Sequence, residues 1–316
     1  MLAISGLVML CLLIHIHLFF VPIIIHTQAQ NGIISLLLNN YINKLNQTFI
    51  AIIYVLVILI QAIRLNIILN NYKLFSKSGF TTAFAFILFT GLFTNAFELS
   101  AALIANSLII WIFSFSIKLY NNNSPKSLLY NLGFIACSSI LLYQPAIIVT
   151  LGLLFALTVL RPFRFSEWLI FILGLLTPIY LLLASLFLLD NLTLINQFIP
   201  HVDFNFIIQK DPWLFASVVT IAIITIAGLI TWYPNSNRMV IQTRKSWAVL
   251  LIFFLLSIVG VLFFSTKGYF PELLCITPFA AFVSNFFLYP SRKILINILL
   301  IVAATIIVYH NIQLIS

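Results

Sequence analysis

Acidic side chains are nearly missing from this chain. Asp and Glu together number 6 in 316 residues, and charged residues of both signs make up only 7%. A soluble globule carries charge on roughly a quarter of its residues, so the scarcity excludes one. Cysteine is equally sparse: Cys11, Cys137 and Cys275 each fall inside an apolar run, with no CxxC or Cys/His spacing. A disulfide framework or a zinc finger is therefore excluded, and the three thiols read as packing residues. Walker sequences, Gly-rich nucleotide loops, GxSxG and HExxH are also missing, which argues against the active sites those patterns build. No metal site is expected, and the residues name no cofactor.

What is present is apolar length. Hydrophobic residues make up 63% of the chain and the mean hydropathy is +1.19. The predicted fold is all-α, a polytopic transmembrane helical bundle of about eleven spans in a single integral membrane domain over 1–316. The spans are expected at 2–25, 48–69, 80–97, 99–117, 128–143, 145–160, 168–189, 213–233, 246–265, 271–289 and 294–312. Residues 2–25 lack the basic flank and cleavage site of a signal peptide and are expected to remain as the first span. The four runs between 80 and 160 reach only ~24–29 Å at ~1.5 Å per residue, short for a hydrocarbon core of ~30 Å. Segment 26–47 has an apolar centre between polar ends and reads as an external interfacial helix. Residues 190–212 read as an external loop, and most of the prolines as simple punctuation.

The formal charge of +9 is distributed by loop rather than clustered, which excludes a nucleic-acid patch and points to the positive-inside pattern. With loops 70–79, 118–127, 161–167, 234–245 and 290–293 on one side, that side holds Lys73, Lys77, Lys118, Lys126, Arg161, Arg164, Arg238, Arg244, Lys245, Arg292 and Lys293, eleven of the 15 basic residues. Glu98, Asp190, Asp203, Asp211 and Glu272 fall opposite. This alternation predicts a cytoplasmic N-terminus and an external C-terminus. Residues 161–167 are the clearest cytoplasmic elbow. Pro162 blocks smooth continuation of the preceding helix, Arg161 and Arg164 are suited to anionic headgroups or a partner, Glu167 accompanies them, and Trp168 lies where an interfacial ring would sit.

Candidate chemistry is thin. Glu98 lies between two apolar runs, where a carboxylate could act as general base; a solvated turn residue looks the same. Lys267, beside Gly268, suits a lipid phosphate or simple pairing with Glu272. Gln144-Pro145 opens a helix whose N-terminus could hold an anion, although Pro145 explains the break by itself. His201 with Asp203 supplies two potential ligands without a third. His15, His17 and His26 lie in or just after the first apolar run with no carboxylate near in sequence. Asn106, Asn196 and Asn285 are read as inter-helix hydrogen-bonding residues.

LRPFRFSEWLIFILGLLTPIYLL, with TNAFELSAALIANSLII upstream and CITPFAAFVSNFFLYPSRK downstream, resembles a family of polytopic bacterial inner-membrane proteins defined by a domain of unknown function, over about residues 45–312. The resemblance implies a multi-span helical fold in the inner (plasma) membrane and carries no activity. The arrangement of many spans, an interfacial segment and short central helices is also similar to the glycosyltransferase-C superfamily, which uses polyprenyl-phosphate-linked sugars on the outer face. Those enzymes usually carry a carboxylate in the first external loop, and residues 26–47 contain no Asp or Glu. Three functions follow: an enzyme of that kind, with Glu98 as base and Lys267, Gln144 and His201 around the substrate; a non-catalytic scaffold or subunit of an envelope complex; or a transporter. Membrane lipids are the expected partners in each case, with a polyprenyl-phosphate lipid in the first and an envelope protein in the second.

Overall fold

A computed structural model describes residues 2–21, 32, 46–93, 100–198, 212–236, 238–264, 272–289 and 293–315. Among these there are eleven α-helices and no strand: α1 Leu2–Ile14, α2 Gln47–Asn71, α3 Thr81–Leu92, α4 Ala101–Leu119, α5 Lys126–Leu142, α6 Ile147–Leu160, α7 Phe165–Leu188, α8 Pro212–Ser236, α9 Ile241–Phe264, α10 Glu272–Leu288 and α11 Lys293–Ile315. Six of them, α2, α4, α7, α8, α9 and α11, are long and apolar enough to cross a membrane. The other five are apolar but shorter.

Two of the short helices lie at the centre of the bundle. In α3, ten of the twelve residues are buried, and in α10 every residue from Leu273 to Phe286 is buried. Helices that are apolar on all sides belong in the middle of a bundle, and these two pack against each other there. The long helix α7 buries few side chains and exposes Leu173, Tyr180, Phe187 and Leu188. An apolar outer face of this kind is what a lipid-facing helix requires.

Close backbone approach fixes two of the main crossings. A Cβ on Gly133 of α5 would overlap the Phe171 carbonyl of α7, and one on Gly174 of α7 would overlap the Tyr130 carbonyl of α5. A Cβ on Gly228 of α8 would lie 2.5 Å from the Phe282 carbonyl of α10. Small residues at such points let helices gain contact where water supplies no driving force.

Three expectations from sequence are corrected. The apolar run at 2–25 does not form one continuous helix: α1 stops at Ile14, and a 3-10 turn follows at Ile16–Phe19. The turn directs the His15 ring back to the Cys11 carbonyl (3.0 Å) and the His17 ring to Asn311 of α11 (2.6 Å). The run at 80–97 is helical only to Leu92 within the described residues, with Phe93 extended. Finally, the prolines do not simply punctuate the helices: Pro234 lies inside α8, beyond the span expected at 213–233, and Pro178 and Pro278 lie inside α7 and α10, as they do in the expected spans. In apolar surroundings neighbouring helices make an interior proline tolerable, and in α7 the carbonyl four residues back from Pro178 belongs to Gly174, at the close crossing with α5.

The ends of the helices sort into two groups. At one end, Trp247 donates to the Leu74 carbonyl (3.3 Å), Tyr289 bonds to Ser76 (2.6 Å between hydroxyls), Arg161 donates to the Leu119 and Asn122 carbonyls, and Lys245 reaches the Leu160 carbonyl (3.4 Å). Segments 72–80, 119–125 and 161–164, the start of α9 and the C-terminus of α10 therefore meet, which is the grouping that loop charge predicts. At the other end, Asn311 donates to the Ile14 carbonyl (3.0 Å), His310 lies 3.1 Å from the Ser217 hydroxyl, and Trp213 stacks on Tyr309 at 3.8 Å.

Candidate functional site

The best-defined polar site lies at the basic end, where α4, α6, α7 and α9 converge. Leu160 ends α6 because Pro162 cannot continue it, and the chain extends through Arg161 and Arg164 before α7 begins at Phe165. Glu167, in the first turn of α7, is thereby brought beside Arg161. The guanidinium Nε and Nη2 donate to the two carboxylate oxygens at 2.9 and 3.2 Å, while Nη1 donates to the Leu119 carbonyl at 3.0 Å and the Asn122 carbonyl at 2.9 Å. Carbonyls at a helix C-terminus lack intrahelical partners, and a cation there also complements the helix dipole. Arg161 thus caps α4 while pairing with α7, a geometry that needs the planar fork of arginine.

Lys245 repeats the device one helix away. Its ammonium reaches the Leu160 carbonyl at the end of α6 and sits 4.9 Å from the centre of the Tyr120 ring. The side chains of Arg161 and Glu167 are only 14% and 10% exposed, whereas Arg164, 3.7 Å from the same carboxylate, is 65% exposed. Trp168 is half-buried with its ring 5.6 Å from Phe163. The two elbow arginines, alike in sequence, are therefore different in place. Arg161 is an internal clamp rather than a headgroup-facing cation, because the open end of α4 lies within its reach. Lys73, Lys77, Lys118, Lys126, Arg238, Arg244 and Lys293 remain exposed around it.

A second polar group lies inside the bundle. Gln61 of α2 donates to the Leu103 carbonyl and the Ser107 hydroxyl of α4, both at 2.7 Å, and accepts from Asn106 at 3.1 Å. Asn106 in turn accepts from Thr277 of α10 at 2.8 Å. These bonds join three helices around a nearly closed set of donors and acceptors, so Asn106 does hold helices together. Asn285, for which the same role is expected, is fully buried with neither amide atom bonded among the described residues.

Of the remaining candidates, Glu98, Lys267 and His201 lie outside the described residues, as do Asp203 and nearly all of segment 26–47. Gln144 is completely buried in the 3-10 turn Gln144–Ala146 that leads into α6. Of the expected catalytic and substrate residues, Gln144 alone lies within the described residues. No group of three or more His, Cys, Asp or Glu suited to a metal is found among the described residues.

The model of a family described as a family of unknown function (DUF6427) matches residues 9–316. The chain belongs to that family. No curated protein and no solved structure matches it. In this DUF6427 chain the match takes in both the Arg161 clamp and the Gln61–Asn106–Thr277 seam. Sequence reasoning missed Gln61 and Thr277 in the seam and Asn122, Tyr120 and Lys245 at the clamp. The available signal was a polar residue within each of several apolar runs, but pairing them needs the helix packing.

Proposed function

We propose that this DUF6427 chain is a multi-pass protein of the bacterial inner membrane, its eleven described helices forming one bundle with the N-terminus and the basic loops in the cytoplasm and the C-terminus outside. Its role on this reading is that of a non-catalytic scaffold, a subunit of an envelope complex that offers its cytoplasmic face to a partner. The observation that carries the reading is the convergence of the basic segments at one end, where Arg161 and Lys245 brace helix termini and leave a rim of exposed cations. A braced surface of one charge suits recognition of an acidic partner and fixes orientation against an anionic leaflet. The short helices α3 and α10 are buried in the bundle, so helices too short to cross the hydrocarbon core alone can be covered by protein within the membrane.

The test is complementation of a deletion strain with protein levels measured in parallel. Neutralising the rim with Arg164→Gln, Arg238→Gln and Arg244→Gln together is expected to abolish complementation at normal abundance, whereas Glu98→Gln is expected to complement fully. The reverse result, an inactive but abundant Glu98→Gln, would overturn the scaffold in favour of a glycosyltransferase-C-like enzyme acting on a polyprenyl-phosphate-linked sugar.

A further inference from the structure

An open groove of about 250 Å³ runs between α4 and α5, lined by Trp111, Phe115, Asn131, Phe134 and Ile135. Its two rings on α4 each carry a cation. The Arg64 guanidinium, reaching over from α2, lies 4.4 Å from the centre of the Trp111 ring, and the Lys118 ammonium lies 5.3 Å from the centre of the Phe115 ring. Neither cation is in an ion pair among the described residues, where the ion pairs run from Arg161 and Arg164 to Glu167. A ring face attracts a cation without neutralising it, so among the described residues neither of the two charges beside this apolar groove has a counter-ion.

The depth of these groups is also consistent. Arg64 and Trp111 lie about two helical turns, ~11 Å, before the basic ends of α2 and α4, and Asn131 lies about one and a half turns from the start of α5, at 1.5 Å per residue. Lys118, in the last turn of α4, and Lys126, at the start of α5, are both exposed. A groove whose bordering cations lie within about two turns of the basic helix ends, and whose walls are apolar and aromatic, offers a partner both to the phosphate and to an acyl chain of a phospholipid. Free phosphate would leave the apolar walls without a ligand, and an uncharged lipid would leave the cations without a counter-ion.

We propose that this groove holds one anionic phospholipid from the leaflet at the basic end, its phosphate between Arg64 and Lys118 and one acyl chain along Trp111, Phe115, Phe134 and Ile135. The proposal rests on the chain being a membrane protein but not on its orientation or on the scaffold role. The full-length chain in detergent is titrated with phosphatidylglycerol, with phosphatidylcholine of the same acyl chains and with glycerol phosphate, and binding is followed by native mass spectrometry. Phosphatidylglycerol is expected to bind about tenfold more tightly than phosphatidylcholine, and glycerol phosphate hardly at all. Arg64→Gln with Lys118→Gln should remove the preference, and Arg64→Lys with Lys118→Arg should keep it. Phe134→Trp, which fills the groove and leaves both cations in place, should weaken phosphatidylglycerol binding too. Equal binding of the two lipids, or a preference that survives both the double Gln variant and Phe134→Trp, overturns the site. The measurement is made without a bilayer, so a failed topology would leave its outcome unaffected.

Discussion

The Arg161 side chain donates four described hydrogen bonds, two to a carboxylate and two to carbonyls at the end of α4. Removing one partner of a largely buried pair leaves the other charge uncompensated, at a cost of about 3–5 kcal/mol. Arg161→Ala should therefore lower the thermal unfolding temperature clearly when the protein is followed in detergent by size-exclusion fluorescence. Arg161→Lys should recover only part of the loss, because an ammonium cannot span carboxylate and carbonyls with a planar fork. Arg164→Gln should leave the temperature nearly unchanged, since an exposed pair contributes about 0–1 kcal/mol. A wild-type temperature for Arg161→Lys would show that charge alone suffices at the elbow. The Arg161–Glu167 proximity was partly legible, as six residues separate the two across a turn. The carbonyls of Leu119 and Asn122 were not, because nothing in local sequence tells which helix end lies beside the elbow.

Among helices, the decisive contacts are those where a backbone meets a backbone. Gly133 and Gly174 seat α5 against α7, and Gly228 seats α8 against α10. A methyl group at any of them would meet a carbonyl that cannot swing aside as a side chain can. Gly174→Ala and Gly228→Ala are expected to destabilise by about 1–3 kcal/mol, the usual range for overpacking, and to lower the yield of monodisperse protein. Gly6→Ala is the control: a Cβ there meets nothing within 4 Å, so it should be neutral or slightly stabilising through helix propensity. Equal effects at all three positions would mean that the crossings are not seated on these glycines. Element positions were readable from hydropathy, since nearly every apolar run became one helix. Helix rank was not. Shortness suggested partial crossings for the runs between 80 and 160, yet α3 and α10 are short at the centre of the bundle, because burial by neighbours rather than length determines where an all-apolar helix settles.

For the molecule as a whole, the two groups of helix ends make a topological statement that can be tested directly. Cysteines introduced at the exposed positions Ser78, Ser124, Ser166 and Gln242 should be shielded from an impermeant thiol reagent in intact cells, while those at exposed Asn46 and Asn191 should label. The native Cys11, Cys137 and Cys275 are buried and should give little background. Labelling of Ser166→Cys alongside Asn191→Cys would overturn the alternation of α7. Composition and loop charge were enough, by themselves, to determine an all-helical membrane protein and the grouping of its basic segments, because apolar runs must satisfy their backbone internally and loop charge is written residue by residue. Tertiary structure alone decided which cation is clamped and which is exposed, which helices are central, and that Gln61, Asn106 and Thr277 form one seam. Each of these depends on distances between residues far apart in the chain, which no local pattern encodes.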